Sequence, residues 1–327
     1  MSTAPPGSPQ GAPTLPGGPR PATAHDLPRI VAAADATFRN PMPVGLGSMG
    51  HDYPLLFAPD NADNLLIIED AAGELLAHAG FMLREASLDG TRVRVATIGA
   101  VFTRADQRQA GLGGRVLAAA VERARKAGAD LGLVSGHRSL YERAGFAPYP
   151  ACPRYRVKAA ANTPAAAEIV TYHPGALGEV MDLYARERVH FVRSQADWEA
   201  MLGAGVVFFE PARTLLLRRA GKTVAYLVLG CPPRAASDGG APGDPRGARV
   251  LELAGDRAEI AAAAPAVARS LGQVAVDLVL PPGDQSLADL AHRHAWQVDE
   301  VKMPFTTAWW NPALREKPLP FYGFNYV

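Results

Sequence analysis

Ala96-Thr97-Ile98-Gly99-Ala100-Val101-Phe102-Thr103-Arg104-Ala105-Asp106-Gln107-Arg108-Gln109-Ala110-Gly111-Leu112-Gly113-Gly114 joins an apolar run to a glycine-rich turn. Val95, Ile98, Val101, Phe102 and Thr103 are β-branched or aromatic and read as a buried strand. After the turn, Leu112, Val116, Leu117, Ala120, Val121 and Ala124 recur at helical spacing, with Arg115, Glu122, Arg123, Arg125 and Lys126 on the other face. Glycines at a helix start let the backbone approach a ligand. The first N–H groups are free, and the helix dipole favours negative charge, so the turn suits phosphate. Taken alone, such a turn is often no more than a tight connection.

The continuation sharpens the reading. Leu131-Gly132-Leu133-Val134-Ser135-Gly136 reads as a second buried strand, and Ser139-Leu140-Tyr141-Glu142-Arg143-Ala144-Gly145-Phe146 as a short helix stopped by glycine. These residues resemble the GCN5-related N-acetyltransferase (GNAT) superfamily. Its R/Q-x-x-G-x-G/A loop matches Arg108, Gly111 and Gly113, and its Y-x-x-x-G-F ending matches Tyr141, Gly145 and Phe146. The resemblance implies an α/β (α+β) fold, a mixed and mostly antiparallel sheet flanked by helices, with acetyl-coenzyme A as co-substrate. It also implies that backbone groups of Val101, Phe102 and Thr103 pair with the pantetheine arm. The pyrophosphate then falls to Arg108 and the amides of Gln109, Ala110, Gly111, Leu112, Gly113 and Gly114. The Val101 N–H faces the thioester oxygen, and Tyr141 protonates the departing thiolate. A phenol with an ordinary pKa of about 10 keeps its proton at neutral pH. A lone tyrosine on a short helix is ordinarily core; its place four residues before Gly145-Phe146 favours the functional role.

The base is not legible. Where many members of that superfamily carry a glutamate, this chain has Thr97, Gly99 and Ala100. His137 follows the second strand, near the expected approach of the amine; His78, Glu85 and His51 are further candidates, as is water.

With 327 residues and 48% hydrophobic composition, the chain is long enough for two domains, each with its own core. A formal charge of +1 and no basic block give no case for nucleic acid. Cys152 and Cys231 lack metal-ligand spacing and read as free thiols in a reducing compartment; no metal is expected. No apolar run reaches the roughly 20 residues of a membrane span, and the start is no signal peptide. A cytoplasmic protein follows as the expectation, and a homo-oligomer is compatible with this composition.

Residues 1–20 are rich in Pro, Gly, Ala and Ser and are expected to be a disordered tail. A catalytic domain is expected over 21–158, beginning with a helix over 27–38 that Asp26 caps. Residues 40–53 are broken by Pro and Gly; in acetyltransferases of this type such a segment walls the acceptor pocket, whereas otherwise it is a surface loop. Strand-like runs over 64–69 and 74–84, joined by a turn over 70–73, and a second hairpin over 83–95 around Asp89-Gly90 form a meander, and 155–157 an edge strand. An Ala-rich linker over 159–167 precedes a second set of elements over 168–327 in the same order, including helices over 178–189 and 195–202 and a closing strand over 298–307. A Pro/Gly/Asp loop over 231–248 interrupts it. The second copy's turn, Leu253-Ala254-Gly255-Asp256-Arg257-Ala258-Glu259, has one glycine and two carboxylates, so it reads as unable to hold a pyrophosphate.

The aminoglycoside-modifying acetyltransferases linked to enhanced intracellular survival in mycobacteria look similar over both halves, though not over their third, lipid-carrier-like domain. In those relatives the terminal carboxylate enters the active site, which makes Val327 a candidate here. Trp309 and Trp310 read as interdomain packing. The function expected is N-acetyl transfer from acetyl-coenzyme A to a primary amine of a small molecule or peptide. The alternatives are a non-catalytic acyl-coenzyme A-binding or regulatory protein and a nucleotide-binding α/β protein, the latter opposed by the meander before the loop.

Overall fold

The computed structural model describes residues 17–160, 167–231, 247–321 and 323. The first half runs β1 (Arg20–Pro21), α1 (Leu27–Phe38), α2 (Met49–Asp52), β2 (Leu65–Glu69), β3 (Leu75–Leu88), β4 (Thr91–Thr103), α3 (Leu112–Lys126), β5 (Leu131–Ser135), α4 (Ser139–Arg143), β6 (Ala147–Pro148) and β7 (Cys152–Lys158). The second runs β8 (Glu168–Thr171), α5 (Leu177–Ala185), β9 (Val189–Phe191), α6 (Gln195–Ala204), β10 (Val206–Val207), β11 (Glu210–Arg219), β12 (Lys222–Gly230), β13 (Arg249–Gly255), α7 (Arg257–Ser270), β14 (Ala275–Val279), α8 (Gln285–Arg293), β15 (Gln297–Val301) and β16 (Phe305–Trp309).

Each half is a mixed, mostly antiparallel sheet with helices on its faces, as the α/β reading expected. β3 and β4 pair around Asp89-Gly90, whose φ angles of 49° and 77° make the two-residue turn that right-twisted hairpins favour. α3 then carries the chain across one face, and β5 pairs parallel to β4. α7 does the same between β13 and β14.

Two expectations about the meeting of the halves are corrected. Residues 155–157, expected at the edge of the first sheet, belong to β7, which lies in the second sheet between β14 and β15. The closing strand expected over 298–307 is two strands: β15 stays in the second sheet, while β16 crosses into the first between β5 and β6. Side-chain chemistry explains the exchange. Arg154 and Arg156 on β7 meet Asp299 at 2.7 Å and Asp277 at 3.5 Å, carboxylates that only the second sheet offers there. β5 is apolar, and a Cβ on its Gly132 would come within 2.7 Å of Trp310, so the end of β16 seats on a strand with no side chain at that point.

Three smaller expectations also change. Residues 17–20 are held: the Gly17 N–H donates to the Glu69 carbonyl, and Arg20 bonds Asp26 and Glu69. Asp26 stands at the start of α1 without capping it, because its carboxylate is engaged by Arg20, Arg29 and Thr23. The helix expected over 178–189 ends at Ala185, and β9 pairs with β3 instead. Residues 1–16, 161–166 and 232–246 lie outside the described residues.

The largest apolar core lies between the sheets. It combines Ile30 of α1, Met49 of α2, Ile67 of β2, Tyr184 of α5, Trp198 of α6 and Tyr226 of β12. Separate cores sit under α3 and under α7 with α8. No described helix is long and apolar enough to cross a membrane, and no described group of His, Cys, Asp and Glu could hold a metal.

Candidate active site

β4 breaks its ladder with β3 at one point. Gly99 pairs with Gly80 and Phe102 with His78, leaving Ala100 and Val101 opposite Ala79 alone. This is a β-bulge, and it places Ala100 at φ 51°, a conformation that side-chain-bearing residues rarely adopt. His78 lies behind it, wholly buried, and its Nδ1–H donates to the Ala100 carbonyl at 2.7 Å. The ring is stacked on Phe102 at 5.3 Å and Phe57 at 6.5 Å. Burial pushes the His78 imidazole down to about 4 against the opposing pull of that hydrogen bond, so the ring is neutral at pH 7. The hydrogen bond fixes its tautomer, because a carbonyl only accepts. His78 is therefore no base for an acceptor amine; it holds the bulge.

On the other edge of β4, pairing with β5 stops at Ile98 and Val134, and the strands part. A cavity of about 600 Å³ opens there, lined by the backbone run 101–103, the turn and the start of α3. Gln109 and Gly111 have φ of 73° and 76°, so the turn needs left-handed backbone twice. Gly113 is required for a different reason: a Cβ would stand 3.0 Å from Thr103 Oγ1, where helix and strand approach. α3 begins on Gly111 with no side-chain cap and no acid in its first turn. Its leading amides have no carboxylate to satisfy them and are left for an anion. Arg108, Arg138 and Arg143 line the same cavity, and none of the described lining residues is a carboxylate. That is an environment for a polyphosphate.

A second cavity of about 490 Å³ lies beyond Val101, bordered by Met49, Ser135, Gly136, His137, Tyr141, Phe209 and Pro304. Phe38, Val101 and Arg138 border both cavities, so the two meet at the bulge. Tyr141 is 3% exposed, and its N–H donates to the Arg138 carbonyl while its own carbonyl accepts from Phe146. Burial raises the phenol pKa, with the Arg138 charge acting the other way, which keeps the hydroxyl protonated. α2 is fixed from below. Arg39 and Asp52 form a buried ion pair at 3.0 Å, Asp52 also accepts from the Gly47 N–H, and Asp35 accepts from the Met49 N–H at 2.6 Å.

Val101, Phe102, Thr103, Arg108, Gln109, Gly111, Leu112, Gly113 and Gly114 thus line one cavity together, whereas Ala110 does not. Tyr141 and His137 line the second, His137 on the surface. Glu85 pairs with Arg92 at 3.1 Å and His51 leans on Asp52 at 3.0 Å; neither lines either of these two cavities. Val327 lies outside the described residues; before it, Phe321 and Gly323 line a groove of the second half. Sequence reading missed Phe38, Arg138, Arg143, Phe209 and Pro304. Only the arginines carried a signal, as cations two and seven residues past Gly136.

In the second half, the corresponding groove beside β13 holds about 80 Å³. Its anion positions are already filled. Asp256 accepts from the Ala258 and Glu259 amides, and Glu187 accepts from the Gly255 N–H at 3.0 Å and from Arg257. Glu259, expected to stand where a pyrophosphate would sit and repel it, turns to Arg219 instead.

Residues 19–149 match the family model described as an acetyltransferase (GNAT) domain. The first half of the chain is a GNAT acetyltransferase domain. Similar solved structures extend over both halves. A GCN5-related N-acetyltransferase from Kribbella flavida is 15% identical with a TM-score of 0.61, matching 90% of this chain and 71% of its own. Eis1 from Mycobacterium abscessus is 16% identical with a TM-score of 0.60, matching 90% and 74%. N-myristoyltransferase from Saccharomyces cerevisiae, with bound myristoyl-CoA and inhibitors, is 11% identical with a TM-score of 0.54, matching 91% and 82%. At these identities the likeness concerns fold alone: the two halves follow one another as two GNAT-like folds. Comparison with curated protein sequences finds no match.

Proposed function

We propose that this GNAT enzyme transfers an acetyl group from acetyl-coenzyme A to a primary amine. The observation that carries the reading is the meeting, at Val101, of an anion-ready cavity with a second cavity holding Tyr141. The uncapped start of α3 takes the pyrophosphate with Arg108, and the parted edge of β4 takes the pantetheine arm. The neutral amine attacks the thioester carbonyl carbon; the oxygen gains charge and is met by the Val101 N–H. As the carbon–sulfur bond breaks, Tyr141 gives its proton to the sulfur, leaving free thiol. The surplus proton on the amine passes to His137 or water and restores the phenol through solvent. The Val327 carboxylate is the other candidate for that proton. The second half serves as support and pocket wall, its own amides being taken by Glu187 and Asp256.

Release of free thiol on mixing acetyl-coenzyme A with amines tests the reaction. Tyr141→Phe should lower turnover about 10²- to 10⁴-fold with coenzyme A affinity nearly unchanged; equal turnover would remove Tyr141 from the mechanism. A non-catalytic acyl-coenzyme A-binding protein is the second reading. It is favoured by the lack of any carboxylate among the described residues of the acceptor cavity, and coenzyme A binding without thiol release would establish it.

A further inference from the structure

The acceptor cavity has an unusual inventory for an amine site. Phe38, Met49, Phe209 and Pro304 give it apolar walls, and its described lining residues include no Asp or Glu. Among those described lining residues the one permanent charge is Arg138, which makes no ion pair and no side-chain hydrogen bond with a described residue. His137 stands beside it on the surface. A polycationic acceptor entering here would lose water around its second ammonium without gaining a counter-charge, and would meet a guanidinium as well. An anion gains what such a cation loses, because a guanidinium without a partner is a fork for a carboxylate.

One wall comes from the other half of the chain. Phe208 and Phe209 form the two-residue turn between β10 and β11, with φ of 54° and 62°. Turns of this kind favour glycine or asparagine at both positions, and bulky side chains there are strained. Packing holds them: Phe208 lies edge-on to Phe305 at 5.0 Å and under Arg249 at 5.7 Å, and Phe209 lies edge-on to Tyr53 at 5.7 Å. Strain of this sort persists where the surroundings over-determine it, commonly at ligand clamps.

Resting on the acetyl-transfer reading above, we propose that the acceptor is an apolar α-amino acid, aromatic or long aliphatic. Its side chain packs against Phe209 and its carboxylate is gripped by Arg138. The amine then faces Val101 and Tyr141, so the group selecting the substrate comes partly from the half that does no chemistry.

The test uses the full chain. Calorimetry with coenzyme A is run first, then thiol release with L-phenylalanine, L-leucine, phenethylamine, spermidine and kanamycin. L-Phenylalanine should exceed phenethylamine by about 30-fold in kcat/KM, the scale of a charge-assisted pair, and exceed both polycations by more. Arg138→Gln should bring the first ratio to within about threefold of unity, because of the two amines only L-phenylalanine offers the guanidinium a carboxylate. Were Arg138 to serve only the co-substrate, all amines would suffer equally and the ratio would stand, which overturns the proposal. Phe209→Gly, which relieves the backbone rather than straining it, should cut the preference for L-phenylalanine over glycine about tenfold. Faster turnover of spermidine or kanamycin overturns the acceptor class alone, whereas bound coenzyme A with every amine inert overturns the transfer reading with it. Absence of heat with coenzyme A overturns the transfer reading and the acceptor class together.

Discussion

His78→Phe is the substitution that tests the bulge. It keeps the flat ring stacked between Phe57 and Phe102 but removes the Nδ1–H that the Ala100 carbonyl accepts at 2.7 Å. A buried carbonyl left without a partner costs about 1–3 kcal/mol. Ala100, held at φ 51°, carries strain of the same order and is then free to relax. Deleting an oxyanion donor costs roughly 10²–10³ in kcat; displacing one, as here, should cost about 10- to 100-fold. The KM for acetyl-coenzyme A should move less than about threefold, since the turn and α3 are untouched. A pH signature accompanies this. Folded His78 titrates at about 4 and an unfolded histidine near 6.5, so between those values the unfolded chain binds the proton and the native one does not. The contribution is complete above pH 6.5 and is lost as pH falls towards 4, about 3 kcal/mol at most. In His78→Phe that loss is absent, so urea midpoints measured from pH 7 to pH 4.5 should fall less steeply than in the parent. Initial rates and urea titrations on the same preparations supply both readouts. A variant with kcat within twofold of the parent would show that the bulge holds its shape without His78.

Other outcomes follow from the contacts between the halves and beneath the pocket. A fragment ending at Lys158 leaves the edge of β5 bare and carries β7 without its partners; it should aggregate in size-exclusion runs and become soluble when residues 159–327 are co-expressed. A monodisperse fragment would mean that the exchanged strands are dispensable. Asp52→Asn leaves the Arg39 guanidinium, 3% exposed, without its counter-charge and should cost about 3–5 kcal/mol in chemical denaturation; a loss under about 1 kcal/mol contradicts that burial. Residues appended after Val327 should abolish thiol release if its carboxylate moves the proton; full activity removes it from the candidates.

The turn was legible because its chemistry is local. Gly111 and Gly113 are dictated by backbone angle and close approach, which residue type alone reports. Tyr141 was legible only through its distance from Gly145-Phe146. His78 was visible as a candidate and its task was not, because what it does depends on a bulge one strand away. The exchange of β7 and β16 was hidden for another reason: strand pairing is non-local, and 298–307 reads as one closing strand although Pro304 interrupts it. The clue was charge, arginines on β7 awaiting Asp277 and Asp299. Phe209 could not have been found, since nothing in Phe208-Phe209 announces a turn with both φ positive.

The crossed strands also make the peptide link between the halves redundant. Each half lends the other a strand deep in its sheet, so severing the chain near residue 160 would yield two polypeptides clasped as an obligate heterodimer. Neither could be shed, by a protease or by gene truncation, without unravelling its companion. A half whose own anion positions are filled by Asp256 and Glu187 would then be retained for as long as the other half needs a sheet.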